Sequence, residues 1–114
     1  MAVRVVPMPE EIPANARASA VLVLLFRMAE ELHVLLMKRK EDKGAHSGQV
    51  SFPGGRQESF DADLRATALR EAQEEVGILS AEVDILGALT PLYIPVSNFN
   101  VYPYVGYAKE RPQY

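Results

Sequence analysis

Gly54-Gly55-Arg56-Gln57-Glu58-Ser59-Phe60-Asp61 and, nine residues beyond Asp61, Arg70-Glu71-Ala72-Gln73-Glu74-Glu75-Val76-Gly77-Ile78 decide how this chain is read. The pair of segments describes a glycine turn, a short loop and a helix that carries three carboxylates. At 3.6 residues per turn Glu71, Glu74 and Glu75 fall within an arc of roughly 100°, with Leu69, Ala72 and Val76 on the opposite side. Like charges at i, i+3 and i+4 cost a helix stability. A bound divalent cation would remove that repulsion and give it a use. An all-oxygen ligand set suits a hard ion such as Mg²⁺ or Mn²⁺, and such an ion binds phosphates and acidifies water. The duller reading is a solvated acidic face steadied by Arg70–Glu74 pairing. The upstream Pro53-Gly54-Gly55 tips the balance toward function, because glycines let backbone approach a ligand closely and can aim a carbonyl at a metal.

Working outward, the helix is expected from about Asp61 or Ala62 to Val76, with Asp61 as its N-cap and Gly77 as a left-handed C-cap. Ahead of it, Ala18–Arg27 is a Val/Leu run of buried-strand length. A turn over Met28–Glu31 and a strand over Leu32–Arg39 complete a hairpin. Lys40–Ser47 reads as a polar loop and Gly48–Phe52 as a short strand. Beyond the helix, Val83–Leu89 is a strand. Phe99–Tyr107 alternates with the period of another, which Pro103 marks as an edge or bulged strand. Residues 1–16, with Pro7, Pro9 and Pro13, read as an extended arm, and 17–114 as one domain.

The whole chain has 114 residues, a net charge of -3 and no cysteine. That length admits one modest core. The charge argues against a nucleic-acid partner, and the missing thiols exclude disulfides, zinc–thiolate sites and cysteine nucleophiles. The longest apolar run, Ala18–Phe26, falls short of the ~20 residues of a spanning helix. No signal-peptide pattern opens the chain. A soluble cytoplasmic protein, with no membrane partner, is the expectation.

These residues resemble the Nudix box: a glycine, an acid at set spacing, then R-E-x-x-E-E-x-G closed by a hydrophobic residue. The second half is complete from Arg70 to Ile78. In the first half Asp61 replaces the usual glutamate, and one extra residue separates it from Arg70. Upstream, Leu35-Leu36-Met37-Lys38-Arg39 and His46-Ser47-Gly48-Gln49-Val50-Ser51-Phe52-Pro53-Gly54-Gly55 resemble the further signature of the coenzyme A diphosphatase branch. An arginine expected near Gly44 is missing. Thr90-Pro91-Leu92, Ser97-Asn98-Phe99, Pro103 and Val105-Gly106 are also similar to that branch.

The resemblance implies an α/β chain of the α+β type: a Nudix-like α/β/α sandwich with a mixed sheet and one central carboxylate-bearing helix. It also implies a C-terminal truncation, since such domains continue past the point where this chain stops. The implied reaction is hydrolysis of coenzyme A to 4′-phosphopantetheine and adenosine 3′,5′-bisphosphate. Glu71, Glu74, Glu75 and the Gly54 carbonyl would hold Mg²⁺ or Mn²⁺. Arg70 would orient the glutamates, and Glu71 or Glu110 would activate water unless the base is absent from this chain. Arg39, Lys43, His46 and Gly55 are the expected substrate contacts. A solvated loop for the basic cluster and a structural hydrogen bond for His46 stay open as duller readings. Gln49, Ser51, Tyr93, Tyr102, Tyr104 and Tyr107 read as strand and packing residues. An unclosed sheet edge could drive homodimerisation. ADP-ribose or a nucleoside triphosphate as substrate, or a non-catalytic binding domain of the same fold, are the competing readings.

Overall fold

The fold was determined as a computed structural model, which describes residues 12–38, 50–110 and 112. Arg39, Lys43 and His46, and most of the N-terminal arm, lie outside the described residues. Among the described residues β1 (Arg17–Met28) is the longest strand. Its even-numbered residues Ala20, Leu22, Leu24 and Phe26 are buried in the core, as the two-residue strand period requires. Ala29 and Glu30 follow with φ of 53° and 65°, the left-handed pair that a two-residue hairpin needs to match strand twist. The chain returns antiparallel as β2 (Glu31–Val34).

The expected second strand to Arg39 is cut short. β2 ends at Val34, Leu35 turns into the core, and pairing resumes only as β3 (Met37–Lys38) against β4 (Val50–Ser51). Pro53-Gly54-Gly55 is likewise no simple turn: β5 (Gly54–Arg56) pairs antiparallel with Ser19–Val21. One edge of β1 therefore serves two partners, β5 near its start and β2 near its end.

After β5 comes α1 (Leu64–Val76). It starts two or three residues later than the pattern suggests, because Asp63 is the N-cap, its side chain accepting from the Ala66 amide at 2.8 Å. Asp61 is occupied elsewhere. Gly77, at φ 75°, ends the helix with its N–H on the Gln73 carbonyl, a position where a side chain would strain the left-handed backbone. A 3₁₀ turn (Ser80–Glu82) leads to β6 (Val83–Ala88), then β7 (Leu92–Ile94) and β8 (Phe99–Ala108).

The sheet runs β2-β1-β8-β6, with β5 on β1 and β7 on β8. It is mixed, because β8 lies parallel to β1 from Arg17↔Phe99 to Phe26↔Ala108 while the other pairs are antiparallel. Thus β8 is interior, not the edge strand that Pro103 suggested. Its carbonyl accepts from Leu89 N at 2.9 Å, so its missing N–H faces the same side. There it falls between the last β6 pair, Ala88↔Tyr104, and the nearest β7 pair, Leu92↔Val101. No ladder donor is lost. The bulge is in β6, between Ile85 and Gly87.

The core joins the even face of β1 to Ala68, Ala72, Ile78, Val83 and Ala108. Alanines on the inner face of α1 let the helix axis approach the sheet closely, which brings the next residues around its circumference down onto β5. Among the described residues α1 is the one α-helix, and no helix is long and apolar enough to cross a membrane.

Candidate functional site

The site is organised by Arg70. Its Nε donates to Asp61 Oδ1 at 2.9 Å and its Nη2 to Asp61 Oδ2 at 3.1 Å, a two-point guanidinium–carboxylate pair. Nη2 also donates to the Arg56 carbonyl at 3.2 Å. Nη1 reaches Glu71 Oε1 at 2.9 Å and both Glu74 oxygens at 3.3 Å. The Phe60 ring lies over the guanidinium, 5.2 Å from its carbon. All three nitrogens are thus committed to protein acceptors. The guanidinium thereby links two helix carboxylates to the β5 strand.

Asp61 anchors this lattice. Its side chain is 3% exposed and also accepts from the Glu58 amide and the fully buried Thr67 hydroxyl, each at 2.9 Å. The hydrogen bond from Arg70 above all, with help from Glu58 and Thr67, holds the Asp61 carboxyl well below the usual carboxylate range against the opposing effect of desolvation. The same contacts, Asp61 first, keep Arg70 more firmly protonated than an ordinary guanidinium. Sequence reasoning treated Asp61 as a cap. The available signal was its spacing from Gly55, and it was masked by Asp63, an equally good capping residue two positions on.

The three glutamates are not equivalent. Glu71 is 18% exposed and Glu74 58%. A methyl group placed on Gly55 would sit 2.7 Å from Glu71 Oε2, so the missing side chain of Gly55 is the space that the Glu71 carboxylate fills. Glu75 turns the other way, and its Oε1 accepts the Gly54 amide at 2.8 Å. Gly54 itself is pressed against β1, where a Cβ would strike the Ala20 carbonyl and Val21. Strand packing, rather than close approach of a ligand, demands that glycine. The structure therefore gathers Glu71, Glu74, Arg70, Gly54 and Gly55 into one place, with Glu75 at its flank.

Among the described residues no three carboxylate or imidazole side chains converge tightly enough to hold an ion as they stand. Each glutamate is drawn instead to a protein donor. The donor set still fits a hard divalent cation in its chemistry, being all oxygen. The three carboxylates share one side of α1, so bringing them together needs side-chain rotation and no change of backbone. Two clefts flank the ridge. One of about 360 Å³ runs along Ala66, Leu69, Arg70, Gln73, Glu74 and Ser80. The other, of about 430 Å³, lies between Leu35–Lys38 and Glu75–Val76.

A family model described as NUDIX domain matches residues 16–112. A protein of Klebsiella aerogenes described as an uncharacterized Nudix hydrolase NudL is 45% identical over 100 residues, which cover 88% of this chain and 82% of that one. Its namesake in Cronobacter sakazakii is 49% identical over 92 residues, covering 81% of this chain and 47% of that one. The chain spans about half the length of most of the curated relatives it matches. In fold it is similar to the crystal structure of C. elegans Ap4A hydrolase, with a TM-score of 0.71 and 19% identity over 86% of this chain and 74% of that one.

Proposed function

The chain belongs to the Nudix domain family, and on that premise we propose that it hydrolyses the diphosphate linkage of a small nucleotide-derived substrate, coenzyme A, in the presence of Mg²⁺ or Mn²⁺. The observation that carries this reading is the ion-pair lattice from Asp61 through Arg70 to Glu71 and Glu74. A merely solvated acidic face has no use for a buried anchor beneath its arginine. The coenzyme A branch is supported by the signatures from Leu35 to Gly55 and from Thr90 to Gly106.

Glu71, Glu74 and Glu75, with the Gly54 carbonyl, are the groups assigned to the metal, which when bound neutralises the diphosphate and acidifies water. Glu71 is the assigned base. It takes a proton from the attacking water as the new P–O bond forms and the bridging P–O bond breaks, the leaving phosphate keeping the electron pair. Arg70 holds Glu71 and Glu74 in place during that transfer. Arg39, Lys43 and His46 are assigned to the substrate's phosphates, beside Gly55.

The test is incubation with coenzyme A and Mg²⁺ or Mn²⁺, with products resolved by chromatography and mass. Phosphopantetheine and adenosine bisphosphate are expected. Glu71→Gln should lower kcat by about 10²-fold or more with the circular dichroism spectrum unchanged. Cleavage of ADP-ribose or a nucleoside triphosphate in preference to coenzyme A would move the assignment to another substrate. The engagement of all three glutamates by protein donors is also what a non-catalytic domain of this fold would show. Metal binding without turnover would establish that second reading.

A further inference from the structure

Thr67 is the most deeply buried member of the lattice around Arg70 and the only one of its donors that carries no charge on its side chain and comes from the core. It lies on the inner face of α1 with Ala68 and Ala72, wholly removed from water and one turn before Arg70. Residues three apart share a side of a helix, so Thr67 and Arg70 reach the same carboxylate, Asp61, from successive turns. The Thr67 hydroxyl has one proton and two acceptors in range, Asp61 Oδ2 at 2.9 Å and the Asp63 carbonyl at 3.2 Å. That carbonyl already accepts the Thr67 amide at 3.1 Å. The carboxylate is both nearer and charged, so the proton goes to Asp61. A helical threonine usually spends its hydroxyl on the carbonyl one turn back. Here it is spent on the anchor of the site.

We propose that Thr67 is a positioning residue for the diphosphate chemistry: its hydroxyl sets where the Asp61 carboxylate sits, and through it where Arg70 holds Glu71 and Glu74. The proposal rests on the hydrolase reading above for what those glutamates do. Asp61 and Arg70 are paired at two points, 2.9 and 3.1 Å, so the guanidinium follows any movement of the carboxylate. Its remaining nitrogen, Nη1, reaches Glu71 at 2.9 Å and Glu74 at 3.3 Å, and moves with it. Besides Arg70, Asp61 Oδ2 has two donors, the Glu58 amide in the loop and the Thr67 hydroxyl. Thr67 is thus what registers that oxygen against the packed face of the helix. A methyl group in place of the hydroxyl cannot come as near, because C···O contacts run at about 3.3–3.6 Å. The carboxylate would be displaced by roughly half an ångström, which is about the tolerance of a catalytic constellation.

The test compares Thr67→Val, which keeps the branched shape and removes the donor, with Thr67→Ser, which keeps the donor and removes the methyl. Two readouts do not depend on turnover: the Arg70 Nε–H resonance of the metal-free chain, and the dissociation constant for Mn²⁺ alone. Thr67→Val should shift and broaden the Arg70 signal and weaken Mn²⁺ binding about tenfold. With coenzyme A it should lower kcat more than it raises KM. Thr67→Ser should keep all of these close to the parent. Leu22→Ala removes core volume and no hydrogen bond of the lattice, so it controls for a general loss of stability and should leave the Arg70 signal and Mn²⁺ affinity in place. A parental Arg70 signal and Mn²⁺ affinity in folded Thr67→Val would overturn the proposal. So would equal losses in Thr67→Ser, which would assign the effect to volume, or in Leu22→Ala, which would assign it to stability. A Thr67→Val effect on the Arg70 signal in a chain that does not cleave coenzyme A would remove the enzyme reading alone. Parental cleavage by Thr67→Val with an unmoved Arg70 signal would remove this inference alone.

Discussion

At the scale of single residues, the identity of Asp61 matters more than its position in a turn. It is nearly sealed from water and makes two of its four accepted hydrogen bonds to Arg70. A carboxyl held below its ordinary range stabilises the fold fully once pH exceeds the unfolded value, about 4. That contribution is lost as pH falls from there toward the lower folded value. Asp61→Asn should therefore cost about 2 kcal/mol near neutrality, and the mutant should show a flatter decline of stability below about pH 4 than the parent. Urea denaturation repeated across pH measures both quantities, and parallel acid limbs for the two proteins would contradict the assignment. The glutamates teach a related lesson. Their spacing put them on one side of a helix, but their distinct duties follow from neighbours: Glu71 fills the space over Gly55, Glu74 leans on Arg70, and Glu75 caps the Gly54 amide.

At the scale of elements, local chemistry and tertiary demand disagree in identifiable places. The β1–β2 turn has both central residues in the left-handed region although neither is Gly or Asn, so the hairpin is held by the pairing of Leu25–Met28 with Glu31–Val34 against an unfavourable turn sequence. Replacing Ala29 by Asn and Glu30 by Gly should raise stability by about 0.5–1 kcal/mol, seen as a higher urea midpoint at unchanged slope. A lower midpoint would mean that the two turn residues make interactions that outweigh their backbone strain. The helix boundaries divide in the same way. Gly77 was legible because only a residue without Cβ is comfortable at its φ. The start was not, since Asp61 and Asp63 are equivalent as caps until Arg70 claims one of them. Pro103 misled for a comparable reason: its missing donor is harmless only where β6 and β7 leave a gap.

At the scale of the molecule, the site depends on how closely α1 lies on the sheet. Leu22 and Leu24 are fully buried beneath it, with Ala68 and Ala72 as the helix side of the contact. Leu22→Ala should cost about 3 kcal/mol through lost burial and a residual cavity, a large share of the 5–15 kcal/mol typical of a domain. Chemical denaturation reads that loss, and activity per folded molecule should hold while the folded fraction falls. If activity per folded molecule also fell sharply, the core would be transmitting strain to Glu71. The parallel β1–β8 pairing ties Arg17 to Phe99 across most of the chain, and β5 joins the box segment to that sheet through Ser19–Val21.

By itself the sequence determined the acidic helix, its glycine stop and the buried β1 run, because these follow from periodicity, side-chain chemistry and spacing within a few turns of chain, and its box motif carried the resemblance to the family. Only the tertiary structure decided that Pro53-Gly54-Gly55 enters a strand, that β8 is interior and that Asp61 anchors Arg70. The strand entry and the interior place of β8 depend on partners distant in the chain, whereas the Asp61–Arg70 pair is local and depends on which of two nearby aspartates the guanidinium meets. A carboxylate, a glycine or a proline carries no mark of which backbone will be brought against it until the core has closed.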